Sequence, residues 1–242
     1  MRRGINEEGE VANDVETEFF VIENFPFQDV EKNVCSFTMI RGSVPLFWGH
    51  EKFKLSPKPP IVLHEDKDPD QKSSVVHFNR LFKCYGDEIC ILNLVKSAEK
   101  STESKLGNAY KKFVELFTNK LRTQHSAHKV RFRWFDFFSV YNKSERSLIR
   151  DLQIYGRGVL ESLSLFRYGV FEGITTKQNG VIRVNCVDCL DRTNNAMACI
   201  SSVVLAKILS EIGAEVKDLI DENTGAVKNE LLSIVFDLFG VV

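Results

Sequence analysis

The stretch that most constrains this chain runs from Gly180 to Asn194, and it reads as a short strand, a tight loop and the start of a helix, with one reactive side chain at the bend. Val181, Ile182 and Val184 form a β-rich apolar run, and Ala196 to Leu209 is apolar and helix-compatible. Between them stand Cys186 and, after five intervening residues, Arg192. A thiol attacks as its thiolate, and an ordinary pKa near ~8.5 leaves little thiolate at neutral pH unless a helix N-terminus or a cation lowers it. This stretch offers both. Backbone N–H groups of a loop above a helix start form a nest for phosphate oxygens, and Arg192 adds a planar two-pronged donor. The chemistry such residues favour is phosphoryl transfer through a cysteinyl phosphate. Cys186 would attack phosphorus, Arg192 and the loop amides would hold the equatorial oxygens, and Thr193 would donate to the sulfur as it leaves.

Asp188 and Asp191 lie in the same loop and are the carboxylates closest to a leaving oxygen. Repulsion from a bound phosphate raises a carboxylate's pKa, which suits a general acid. Asp188 ranks first; Asp191 has the alternative of bonding loop amides or orienting Arg192. Asp136, set among the aromatics of Trp134 to Phe138, is the third candidate, because apolar surroundings would raise its pKa. Cys186 and Cys189 also make a Cys-x-x-Cys pair, but no second pair completes a metal site, and His125 and His128 read as exposed loop residues. No metal and no cofactor are expected.

The string Arg183-Val184-Asn185-Cys186-Val187-Asp188-Cys189-Leu190-Asp191-Arg192-Thr193-Asn194 resembles the catalytic signature of the Sac-domain phosphoinositide phosphatases nearly residue for residue. Arg2-Arg3-Gly4, Val11-Ala12-Asn13, Val15 to Glu18, Arg41 to Trp48 and Trp134 to Phe138 resemble further segments of that family. The resemblance implies hydrolysis of phosphate monoesters on the inositol ring, at the 3-, 4- or 5-position. It also implies that Arg183, Asn185, Val187, Cys189 and Leu190 contribute to substrate binding. Arg41 belongs either to the substrate side of the cleft or to the structure, bonded to nearby carbonyls. Two positions depart from the family pattern: Phe138 stands where the relatives usually carry His, and Met197 where they usually carry Gln. The resemblance runs from Arg2 to at least Leu209. It implies that residues 1–242 are part of a Sac phosphatase domain, the catalytic subdomain, without the N-terminal subdomain and the C-terminal end. The same residues also fit a non-catalytic phosphoinositide-binding or scaffold module.

A chain of 242 residues with 43% hydrophobic content has enough apolar material for a sizeable core. Its net charge of −1 argues against a nucleic-acid binder. The six cysteines show no regular framework and Met1 opens no secretory signal, so the expected setting is reducing and cytoplasmic. Ala196 to Leu209 is too short and too interrupted to span a bilayer. The expected partners are phosphoinositide lipids at a membrane surface, met peripherally on the cytosolic face of an endomembrane. Lys120, Arg122, Lys129, Arg131 and Arg133 form the one basic stretch, read either as a solvated strand face or as a surface attracted to anionic headgroups. Protein partners are not legible.

Residue patterns predict strands at 19–22, 36–40, 89–95 and 130–138, with a loop at 51–72. They predict helices at 74–84, ended by Gly86, at 109–121, from a Ser144 cap to about 166, at 196–212 and at 231–239. A β-hairpin is predicted from 171–176 to 181–185 across Gln178-Asn179-Gly180, and a turn at 223–225. Alternation of strands and helices gives an α/β fold, a mixed β-sheet flanked by helices, with the cysteine-based phosphatase loop between a strand and a helix.

Overall fold

The computed structural model describes residues 3–23, 33–51, 59–189, 191–211 and 229–239. In chain order its elements are β1 (Val15–Glu23), β2 (Asn33–Arg41), β3 (Trp48–His50), β4 (Ile61–Leu63), α1 (Lys72–Tyr85), β5 (Glu88–Asn93), α2 (Thr102–Thr123), β6 (Lys129–Trp134), α3 (Phe137–Tyr141), α4 (Glu145–Leu163), β7 (Phe166–Gly169), β8 (Gly173–Thr176), β9 (Val181–Asn185), α5 (Asp191–Glu211) and α6 (Asn229–Phe239). The fold is α/β with mixed strand directions, as expected. The predicted turn at 223–225 lies outside the described residues.

The chain divides into two compact units. The first comprises residues 1–16, 40–139 and 180–193. Three of its strands are parallel, with β5 between β6 and β9 and with Ile91 opposite Phe132 on one side and Arg183 on the other. A strand buried on both faces reads as a continuous apolar run, which is how Ile89 to Leu92 reads. Phe78 of α1 and Phe113 and Phe117 of α2 stack into the core with Ile89 and Ile91. Gly86 ends α1 at φ 103, where its N–H reaches back to the Phe82 carbonyl. Within the predicted 51–72 loop, β4 forms a small antiparallel pair with β3, which lies just before it.

The second unit comprises residues 17–39, 140–179 and 194–242. Here β2 pairs antiparallel with β7, and β7 with β8. Ser144 caps α4 by accepting the Ser147 N–H, as its position in the sequence suggests. Gly156 on α4 leaves room for Ile200 of α5, whose side chain would lie 3.3 Å from an added Cβ. Met197 is fully buried on α5.

Two expectations need correction. The predicted 171–185 hairpin does not form: β8 closes a hairpin with β7, and β9 runs parallel to β5. A Gln-Asn-Gly turn signal is local, whereas the fully buried β9 finds its partner by burying both faces. The strand predicted over 130–138 stops at Trp134, because Asp136 accepts the Ser139 N–H and starts α3.

Gly107 sets the approach of α2 to β6. A Cβ there would sit 2.3 Å from Cζ2 of Trp134, and that indole is fixed by its Nε1–H bond to the Val95 carbonyl at 2.8 Å. Gly→Ala in a helix interior is ordinarily stabilising by roughly 1 kcal/mol. Gly107→Ala should instead destabilise by about 1–3 kcal/mol through overpacking. Urea unfolding monitored by circular dichroism reads the sign; a gain in stability would contradict the packing described.

Candidate active site

Val181, Ile182 and Val184 are fully buried on β9, and the chain leaves the strand's C-terminal end at Asn185. Cys186 follows, and α5 begins at Asp191. The thiol is therefore held between a strand end and a helix start, where peptide dipoles favour negative charge. Cys189, at φ 58, turns the loop through the left-handed region, and its N–H donates to the Cys186 sulfur at 2.8 Å. The Cys189 thiol donates in turn to the Cys186 carbonyl at 3.4 Å.

Cys186 is fully buried and donates its S–H to Oδ1 of Asp188 at 3.0 Å. Burial pushes its pKa well above the ordinary thiol value, and the Arg192 charge opposes this without reversing it. The Sγ to Oδ1 contact suits a thiol donor, the form that burial favours. Burial also works to raise the Asp188 pKa, but the Cys186 donor and the Arg192 charge outweigh it, and the carboxyl lies below its usual value.

Arg192 is the second residue of α5 and is buried. Its Nη1 donates to Glu103 at 3.0 Å and, more weakly, to the Leu94 carbonyl at 3.4 Å. Its Nη2 lies 3.8 Å from Asp188 Oδ1. The guanidinium faces the Phe138 ring at 5.1 Å, and Lys96 Nζ lies 4.5 Å from the same ring. Phe138 offers the arginine a π face and has no exchangeable proton.

Arg183 has no solvent exposure and is held by three groups. It donates to His77 Nε2 at 3.0 Å, to Asn185 Oδ1 at 3.0 Å and to the Ser43 carbonyl at 2.9 Å. Arginine only donates, so His77 accepts at Nε2 and donates from Nδ1 to the Gly9 carbonyl at 3.1 Å. Arg41 donates to the Cys189 carbonyl at 2.8 Å, and Asn13 to the Asp188 carbonyl at 3.1 Å. Both brace the loop from outside it. Val187 packs against the core of the first unit, and Thr193 is fully buried. Asp191 opens α5 on the exposed side, and Leu190 lies outside the described residues.

Asp136 is not the apolar carboxyl expected. Burial works to raise its pKa, but it accepts the Ser97 N–H and hydroxyl at 2.7 and 2.8 Å and the Ser139 N–H, and these bonds lower it. His128 is no free loop residue: it stacks on Phe82 at 4.1 Å and lies 3.3 Å from Asp87. Glu103, Asn13 and His77 were not legible as site residues. The Ser101-x-Glu103 helix start is the one signal that marks Glu103. Among the described residues, no three His, Cys, Asp or Glu side chains converge as metal ligands, and no helix is long and apolar enough to cross a membrane.

A family model described as the SacI homology domain matches residues 1–142, a span that ends before the Cys186 loop. A polyphosphoinositide phosphatase of Schizosaccharomyces pombe is 35% identical over 94% of this chain and 28% of its own length. The phosphoinositide phosphatase SAC5 of Arabidopsis thaliana is 30% identical over 92% of this chain and 32% of its own length. The phosphatidylinositide phosphatase SAC2 of Homo sapiens is 32% identical over 88% of this chain and 17% of its own length. The chain thus spans a third or less of these relatives.

His77 carries a pH prediction. Burial first, and then the Arg183 charge, lower its pKa well below 6.5, so the folded protein keeps the ring neutral where the unfolded chain protonates it. Unfolding then takes up a proton, and stability falls as pH drops below about 6.5 by up to ~1.4 kcal/mol per unit. Urea titrations between about pH 7 and pH 5.5 should show this slope in the wild type and a shallower one in His77→Gln. Equal slopes would mean that the ring is not held neutral.

Proposed function

The chain belongs to the SacI-homology family, and on that premise we propose that its Cys186 loop hydrolyses phosphate monoesters of the inositol ring, at the 3-, 4- or 5-position, through a cysteinyl phosphate. One observation supports this most: Cys186 sits between a strand end and a helix start, with a loop N–H on its sulfur and Arg192 Nη2 turned toward the Asp188 carboxylate beside it.

On this reading the Asp188 carboxylate rests where a phosphate oxygen would bind, between the sulfur and the arginine. A phosphate entering the loop repels that carboxylate and raises its pKa, so the thiol proton passes to Asp188 across the 3.0 Å contact. The thiolate attacks phosphorus, and Asp188 gives the same proton to the departing inositol oxygen. Water then attacks the phosphocysteine, Asp188 takes its proton, and the thiolate leaves with Thr193 beside it. Arg192 and the loop amides hold the equatorial oxygens throughout. Arg183 and Arg41 act here as supports of the substrate loop, and Asp191 contributes negative charge at the helix start.

The substrates are phosphoinositide lipids met peripherally at the cytosolic face of an endomembrane, and residues 1–242 act as part of a Sac phosphatase domain. A second reading, a phosphoinositide-binding module without turnover, draws on the protonated resting state of Cys186.

Phosphate release from short-chain phosphoinositide isomers separates the two. Cys186→Ser should lose turnover by on the order of 10⁴-fold or more with the fold intact. Headgroup binding without phosphate release in the wild type would establish the binding module instead. Asp188→Asn should slow lipid hydrolysis by roughly 10²-fold or more and aryl phosphate hydrolysis much less, because a good leaving group needs little protonation. Equal losses on both substrates would remove Asp188 as the acid.

A further inference from the structure

We infer that Glu103 is a positioning residue for the reaction: it fixes the Arg192 guanidinium in the plane that leaves its Nη2 edge facing the Cys186 sulfur. The inference rests on the phosphatase reading above. An arginine on a long stem gains its two-pronged grip on phosphate only if its plane is set before the phosphate arrives. Arg192 has that constraint on its far edge. Nη1 donates to Glu103 Oε2 at 3.0 Å and to the Leu94 carbonyl at 3.4 Å, while the face lies against Phe138. The side chains of the pair are 9% and 18% exposed, so the contact is little screened by solvent.

Glu103 is itself held in place. The same Oε2 accepts the Lys96 N–H at 2.9 Å, just past the end of β5. Its own backbone N–H donates to the Ser101 cap at 3.2 Å, and a carboxylate in the first turn suits the α2 dipole. The carboxylate therefore connects α2, the segment after β5 and the first turn of α5 at the atom that presents Arg192. Nη2 lies 3.8 Å from Asp188 Oδ1, which lies 3.0 Å from the sulfur, so the remaining edge of the guanidinium lies toward the carboxylate that contacts the thiol.

The test is turnover of a short-chain phosphoinositide by the full chain carrying Glu103→Ala, Glu103→Gln, Arg192→Lys and the Glu103→Ala/Arg192→Lys pair, each checked for an unchanged melting curve. Glu103→Ala should lower kcat by roughly 10- to 100-fold with KM nearly constant, since the loss is one of orientation in the transition state. Glu103→Gln keeps an acceptor oxygen and should recover most of that loss. The paired variant should be no slower than Arg192→Lys alone, because Glu103 acts only through the guanidinium. An unchanged kcat in Glu103→Ala, or losses that multiply in the paired variant, would overturn the inference and leave the phosphatase reading standing. Wild-type turnover in Arg192→Lys would overturn both.

Discussion

The active-site unit depends on one buried cation. Arg183 has no solvent exposure, and its guanidinium links α1 through His77, the end of β9 through Asn185 and the segment after β2 through the Ser43 carbonyl. None of these three acceptors carries a formal charge. The nearby Asp14 carboxyl compensates only in part, because burial raises its pKa while Arg183 pulls the other way. A charge removed from water on these terms is costly unless its hydrogen bonds are complete. What it provides is a fixed positive potential at the strand end that carries Cys186. Removing a single partner would leave the cation buried and under-bonded, so His77, Asn185 and Ser43 support the strand end that leads into the loop, and Arg41 and Asn13 hold the loop directly.

Above that cation, the site as it stands is arranged as acid–base pairs within the protein. Asp188 accepts the Cys186 thiol, and Glu103 accepts Arg192. The groups that would meet a phosphate are thus met by carboxylates. Burial is the main reason that the Cys186 pKa is raised, and the Asp188 charge adds to it. On the proposed reading a phosphate would take the place of the Asp188 carboxylate, whereas Glu103 touches the arginine from the far edge, and the two acidic residues would then have different roles.

Much of this was legible in the residues because it is local. Apolar periodicity found α1, α2 and α4, Ser144 and Gly86 marked helix ends, and the Cys186 to Arg192 stretch marked the passage from β9 to α5. What escaped depends on pairing across the chain. The Asn179-Gly180 turn signal does not reveal that β9 pairs with β5, some ninety residues earlier, in register Asn93 to Asn185. Asp136 looks apolar in sequence because its neighbours are aromatic, yet its partners Ser97 and Ser139 make it a cap. Glu103 and Asn13 lie 89 and 175 positions from the residues they hold, and no short motif encodes such a contact.

The central claim is that Cys186 carries the phosphoryl group between the two half-reactions. Rapid acid quench during turnover of a short-chain phosphoinositide, followed by peptide mass spectrometry, tests it directly. The account predicts one phosphoryl group on the peptide containing Cys186, absent from Cys186→Ser and lost as substrate is exhausted. Sustained phosphate release with no phosphoryl group on that peptide at any quench time would contradict it.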